Sequence, residues 1–331
     1  MDALLTTAFL GQPAWMWLSF FVIVCLLLAF DLGVLHKDSK VVGVRESLLL
    51  SALYIALGLG FGAFVWAQLG ERAGIEYVTG FIVEKSLAMD NVFVIAMIFT
   101  FLAIPQQYQH RVLFWGILGV IVLRAIMIGV GATLVAEFSW VLYLFAAFLI
   151  FTGVKMLAFS NETPLSENPV YTFLRKRLPF TDQLHGERFF VRQPHAKTGK
   201  IVAHMTPLFL ALAMIEVADV IFAVDSVPAI FAITTDPYIV YTSNIFAILG
   251  LRALYFALAA VLHRFEYLKH ALAILLIFIG SKIFLADALG LAKFPAELSL
   301  LVTFAILGGG VLYSLWRTRA PEPKTATQGE N

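Results

Sequence analysis

The sequence predicts an all-α polytopic membrane protein of about nine transmembrane helices, and three observations carry that prediction. Apolar runs of roughly 20 residues, enough to cross about 30 Å of hydrocarbon, recur along the whole chain. Of the 331 residues, 60% are hydrophobic and only 14% charged, where a soluble domain carries about 25% charged residues; mean hydropathy is +0.88. The third observation is a polar pattern that occurs twice, deep inside apolar runs: Glu84…Asp90-Asn91 and Asp219…Asp225-Ser226. Each copy holds a carboxylate, a second carboxylate six residues on, and a small polar side chain next to it. A lone charge in lipid costs roughly 2.5–3.5 kcal/mol even on a lenient scale, so two matching acidic clusters point to one shared polar site, most simply a cation path.

In chain order, spans are expected near residues 14–35, 46–68, 77–103, 112–135, 139–158, 204–234, 238–262, 271–289 and 296–316. The first has no Lys or Arg before it and so lacks the charged start of a cleaved signal peptide; it is expected to remain in the mature protein. Residues 1–76 then hold two peripheral helices, 77–158 and 204–289 three helices each, and 290–331 a ninth helix with a disordered tail. Between the triplets, 159–203 is the one long polar loop, with the basic run Arg175-Lys176-Arg177. A short interfacial helix is expected over 168–178, and a hairpin between Arg188 and Met205.

Orientation follows loop Lys and Arg. Counted from an external N-terminus, the inner loops and the tail hold 16 basic residues, from Lys37 to Lys324, and the outer loops only Arg72 and Lys293. That asymmetry predicts an N-terminus outside, a cytoplasmic C-terminus and a multi-pass location in the bacterial inner membrane. The lone Cys25 excludes an intramolecular disulfide or a Cys-rich metal site. All seven histidines fall in loops or at span ends, leaving a buried imidazole metal centre without ligands. No Walker-type phosphate loop is present, no cofactor is implied, and no nucleic-acid partner is expected.

The acidic clusters belong to a longer internal match. Val122-Leu123-Arg124-Ala125 aligns with Gly250-Leu251-Arg252-Ala253, and Leu149-Ile150-Phe151-Thr152-Gly153-Val154-Lys155 with Leu276-Ile277-Phe278-Ile279-Gly280-Ser281-Lys282. Each copy spans three helices, an odd number, so the second starts from the opposite side of the membrane. The result is an inverted repeat of three plus three helices, the arrangement of many secondary transporters, with the substrate site at the repeat interface near midplane.

A step of seven residues returns to nearly the same face of a helix. Glu84 therefore aligns with Asn91, and Asp219 with Ser226, whereas Asp90 and Asp225 project roughly 120° away. Asp90 and Asp225 are expected to approach each other near midplane. Pro228, soon after Asp225, predicts an interrupted or bent helix in 204–234. The competing explanation for the acids is pairing with Lys85, Arg124, Lys155, Arg252 and Lys282. Against it stands the count: Asp31, Glu84, Asp90, Glu216, Asp219, Asp225 and Asp287 are seven acids against those five bases, a surplus that one divalent cation balances. Oxygen donors of this kind suit magnesium, calcium and manganese. Glu216, three residues before Asp219, is a candidate proton carrier or further member of the site.

These residues resemble a known family. Glu84–Phe93 and Glu216–Ile230, with Thr242–Arg252 and Phe151–Met156 in support, are similar to the signature stretches of TerC-type integral membrane proteins, within them the Alx-type, alkaline-inducible subgroup. The resemblance covers roughly residues 14–316. It implies kinship with LysE-type transporters, manganese export and metal homeostasis, and a family name taken from tellurite resistance. Glu84, Asp90, Asn91, Asp219, Asp225 and Ser226 are the site residues it carries across.

The expected function is thus a secondary transporter exporting a hard divalent cation, manganese foremost, with Asp90 and Asp225 as principal ligands and Glu84, Asn91, Asp219 and Ser226 completing the shell. Proton exchange is the expected coupling, because metal and protons compete for the same carboxylates. The alternative is a non-transporting membrane protein that assists insertion or metal loading of exported proteins, with loop 159–203 as its docking surface for a protein partner. A membrane-embedded enzyme is not expected: no His, Cys or Ser-Lys constellation supports one.

Overall fold

In lipid every backbone polar group needs an internal partner, which leaves the apolar runs of this chain only the helix. A computed structural model describes residues 8–35, 43–138, 140–158, 169–194, 201–258, 268–291 and 294–318. A two-residue antiparallel pair, β1 (Ala8–Phe9) and β2 (Gln12–Pro13), precedes α1 (Ala14–Leu35). The helices α2 (Val44–Leu69), α3 (Glu71–Phe101), α4 (Gln106–Glu137) and α5 (Val141–Ala158) follow. Next come the short α6 (Pro169–Arg177) and the antiparallel hairpin β3 (Phe190–Pro194)–β4 (Ile201–Met205), close to where a helix and a hairpin were expected. The chain then forms α7 (Pro207–Ile233), α8 (Pro237–Ile248), α9 (Leu251–Leu258), α10 (Leu268–Ala288) and α11 (Ala296–Arg317). The expected disordered tail and the start of loop 159–203 lie outside the described residues.

Among the described residues, eight helical segments are long and apolar enough to cross a membrane: α1, α2, α4, α5, α7, α8 with α9, α10 and α11. The chain is a multi-pass α-helical membrane protein. Nine spans were expected, and the remaining one corresponds to α3. At 31 residues α3 is long enough, but Glu84, Lys85 and Asp90 dilute its hydropathy. Its position accounts for the tolerance of charge. α3 runs through the middle of the bundle, packed by α2, α7, α8 and α11, with Tyr77, Phe81, Ala88, Val92 and Phe99 buried. The outer helices turn Leu18, Leu26, Ile126, Phe151, Leu301 and Leu312 outward, the apolar belt that a lipid solvent requires.

The helix interruption lies elsewhere than the sequence predicted. α7 is continuous through Pro228, because proline's fixed φ is itself helical and the ring costs one backbone bond without forcing a break. The chain breaks between α8 and α9, at Leu249 and Gly250. Gly250 has φ +79°, and the Tyr54 ring leaves no room there for a Cβ. The freed carbonyls at this break find a donor in the central helix: Lys85 Nζ donates to Ala247 O at 2.9 Å and Leu249 O at 3.2 Å.

The closest helix pair is α5 with α10, and its contact is reciprocal. A Cβ on Gly153 would stand 2.6 Å from the Ala273 carbonyl oxygen and against Ile277; one on Gly280 would stand 2.5 Å from the Ala146 carbonyl oxygen and against Ile150. Small residues let helix backbones touch, the main way helices associate in lipid. Gly280→Ala is therefore expected to force the pair apart and cost about 1–3 kcal/mol, the usual penalty of overpacking. Gly309→Ala, where the added carbon meets open space, is expected to leave stability unchanged. Thermal unfolding in detergent measures both.

Candidate functional site

The two acidic segments sit on α3 and α7, adjacent helices at the centre of the bundle. Their seven-residue spacing places Glu84 and Asn91 on one face of α3, and Asp219 and Ser226 on one face of α7. These faces meet around one residue of α4, Arg124, which is 1% exposed. Arg124 Nη1 donates to Glu84 Oε1 and, at 2.9 Å, to Ser226 Oγ. Nη2 donates to Asp219 Oδ1 at 3.0 Å and Nε to Asp219 Oδ2 at 3.3 Å, a two-pronged grip. Asn91 Nδ2 adds a bond to Asp219 Oδ1 at 3.1 Å. All five side chains are buried.

Four of the six residues expected to hold a cation, Glu84, Asn91, Asp219 and Ser226, thus converge. They do so on a guanidinium, as the ion-pairing explanation requires. Two carboxylates face one guanidinium, so with both acids ionised the cluster keeps one negative charge. Apart from that guanidinium it presents only oxygen donors and one amide, a hard-ion donor set. The side chains of Asp90 and Asp225, expected as principal ligands, lie outside the described residues. Among the described residues no three acidic, histidine or cysteine side chains are grouped to hold a metal.

The other charges expected near the site have separate tasks. Arg252 Nη2 bonds Asp31 Oδ1 at 2.7 Å and Asp31 O at 3.0 Å, pinning α9 to α1. Sequence reasoning had counted Asp31 among the intramembrane acids but had not linked it to Arg252; their wide separation along the chain hides the pair. Lys85 serves the break between α8 and α9 rather than an acid. Lys282 Nζ reaches Ser299 Oγ on α11 at 3.2 Å. Glu216 lies one turn before Asp219 with its carboxylate against Gly119; its Oε2 is buried without a hydrogen-bond partner among the described residues. Lys155 is exposed near the end of α5, where a long side chain can snorkel to the interface.

Cavities flank the cluster on either side. A vestibule of about 310 Å³ opens at the end of the bundle where α3 begins and α7 ends, lined by Glu76, Thr79, Thr234, Lys282, Asp287 and Ser299 among others. Thr79 is five residues from Glu84, roughly 7.5 Å along the helix. Ile230 and Phe231, next along α7 toward the vestibule, pack where Gly80 and Gly131 leave space. On the other side a narrow cavity of about 20 Å³, room for about one water, is lined by Asn91, Asp219 and Arg252 with apolar residues of α3, α4 and α7.

The model of the integral membrane protein TerC family matches residues 69–322. An uncharacterized membrane protein of Rickettsia bellii is 47% identical over 302 residues, 91% of this chain and 97% of its own. One from Myxococcus xanthus, STKORF319, is 46% identical over 310 residues, 93% of this chain and 94% of its own. The Salmonella typhi protein named "Putative membrane-bound redox modulator Alx" is 45% identical over 328 residues, 96% of this chain and 99% of its own. No solved structure matches the chain.

Arg124→Ala is expected to leave Glu84 and Asp219 buried without a counter-charge, at about 3–5 kcal/mol. Adding Asp219→Asn is expected to recover part of that loss. A double-mutant cycle from unfolding in detergent measures the coupling; independent, additive effects would contradict the network.

Proposed function

The chain belongs to the TerC family of integral membrane proteins, and from its buried acidic cluster we propose that it exports a hard divalent cation, manganese foremost, across the bacterial inner membrane. The observation that carries the proposal is the meeting of the two acidic segments at one buried point, between two cavities, with a single guanidinium to balance two carboxylates. Asp90 and Asp225 supply the principal ligands, and Glu84, Asn91, Asp219 and Ser226 complete the shell. Arg124 holds the acids while the site is empty, and the cation competes with it for their oxygens. Protonation competes for the same oxygens, so proton exchange couples transport, with Glu216 as the carrier. Metal affinity falls as pH falls, and export is favoured by an alkaline cytoplasm.

The inverted repeat belongs to the same proposal. Gly153 and Gly280 occupy equivalent positions in the two matching stretches, as do Ala146 and Ala273, and Ile150 and Ile277. The contacts that Gly153 makes with the second set are those that Gly280 makes with the first. A twofold axis in the membrane plane, relating 77–158 to 204–289, accounts for that reciprocity. The proposed topology, N-terminus outside and C-terminus in the cytoplasm, puts the vestibule on the outer side.

The redox role named for relatives fits cation handling better than thiol chemistry here, because the chain has one cysteine, Cys25, exposed on α1. A non-transporting role in metal loading or insertion remains the second reading. It rests on the 159–203 segment, whose Glu187 and Phe189 meet α4 through the Arg111–Glu187 ion pair at 3.0 Å and the stacking of Arg111 over Phe189.

Inverted membrane vesicles are expected to accumulate manganese, faster at higher external pH, which is the cytoplasmic side. Asp90→Asn, Asp225→Asn and Asp219→Asn are each expected to lower uptake by at least tenfold, while protein levels hold. Uptake unchanged by all three would sink the site. No uptake above that of vesicles lacking the protein, with function in cells lost on removing the β3–β4 hairpin, would favour the second reading.

A further inference from the structure

Arg252 is bound on one side only. Its Nη2 is committed to Asp31 of α1, while its Nη1 is buried without a hydrogen-bond partner among the described residues, and the residue is 2% exposed. A buried donor left unmade is costly and rare. Arg252 also lines the one-water cavity whose other polar walls are Asn91 and Asp219. In the matching stretches Arg252 is the counterpart of Arg124, Asp219 of Glu84, and Ser226 of Asn91. Arg124 bonds Glu84, Asp219 and Ser226. Exchanging the two segments turns that set into Asp219, Glu84 and Asn91 around Arg252, two of which already face the cavity that Arg252 lines.

We infer that Arg252 is the alternate counter-ion of the acid pair: it takes Asp219 over from Arg124, across this cavity, when the protein changes the side to which its site is open. Asp31 is the parking partner that holds Arg252 back in the present state. The two arginines then bias one equilibrium in opposite directions, and an unloaded site is never left with both acids unpaired. The inference rests on the reading of the chain as an alternating-access carrier. It does not depend on which ion is carried.

The test uses the full-length protein in membranes with Cys25→Ser, and Ala232→Cys in the vestibule wall as a reporter for a membrane-impermeant thiol reagent added outside. Asp31→Asn releases Arg252 and is expected to slow labelling roughly tenfold, within the usual range of coupling between sites. Adding Arg252→Leu is expected to restore the parent rate. Arg124→Lys, which keeps the charge but loses the two-pronged grip, is expected to slow labelling in the same Arg252-dependent way. It provides a second route should Asp31→Asn not fold. Labelling unchanged in both variants, or slowed equally without Arg252, would make Arg252 a static peg between α9 and α1 and overturn the inference. A labelling shift without manganese flux would instead refute the proposed cargo and leave the exchange standing.

Discussion

The Arg124 guanidinium is the interaction on which the buried half of the molecule depends. It joins three helices at once: its own α4, α3 through Glu84, and α7 through Asp219 and Ser226. Without it, two carboxylates would face a medium of low dielectric with only an amide and a hydroxyl to solvate them. Desolvation and attraction are both large for such a cluster and nearly cancel. Its contribution is therefore better described as specification than as net stability: only one register of α3 against α7 brings all five polar side chains together.

A second constraint follows from the first. Polar groups tolerated at membrane depth must be enclosed by protein, and the fold meets this by making the least apolar of its long helices the central one. α3 gives Glu84 to the cluster and Lys85 to the α8–α9 break, adjacent residues serving different neighbours. The break is stable because an ammonium stands where two carbonyls at a helix C-terminus concentrate negative potential. The acid cluster and the α8–α9 break thus both rest on one turn of α3.

Much of this was legible in the chain. The order of the helices follows from the apolar runs, eight of the nine expected spans being long and apolar enough among the described residues, and the seven-residue spacing paired Glu84 with Asn91 and Asp219 with Ser226. The side chains the acids would face were harder to see. Arg124 was named as a counter-charge, yet its grip on Asp219 across 95 residues depends on how α4 meets α7. A break or bend was expected near Pro228, the strongest local breaker; the helix continues there, and the break at Gly250 depends on a glycine wedged against Tyr54 and a lysine from another helix. Local sequence reports what a segment prefers; which freed carbonyl has a donor within reach is a tertiary fact. The Asp31–Arg252 pair was hidden for the same reason, since its members lie 221 residues apart.

The order in which these charges are made bears on how the protein enters the membrane. α3 leaves the ribosome carrying Glu84, and Arg124 follows only 40 residues later. The α3–α4 hairpin can therefore pass from the translocon to lipid as a neutralised pair, its most costly charge already matched. Asp219 arrives after a further 95 residues and displaces nothing; it docks on the free side of a guanidinium that is already in place. With both acids ionised, assembly thus proceeds from a charge-balanced intermediate to a cluster with one negative charge in excess, and that excess arises at the step that docks α7.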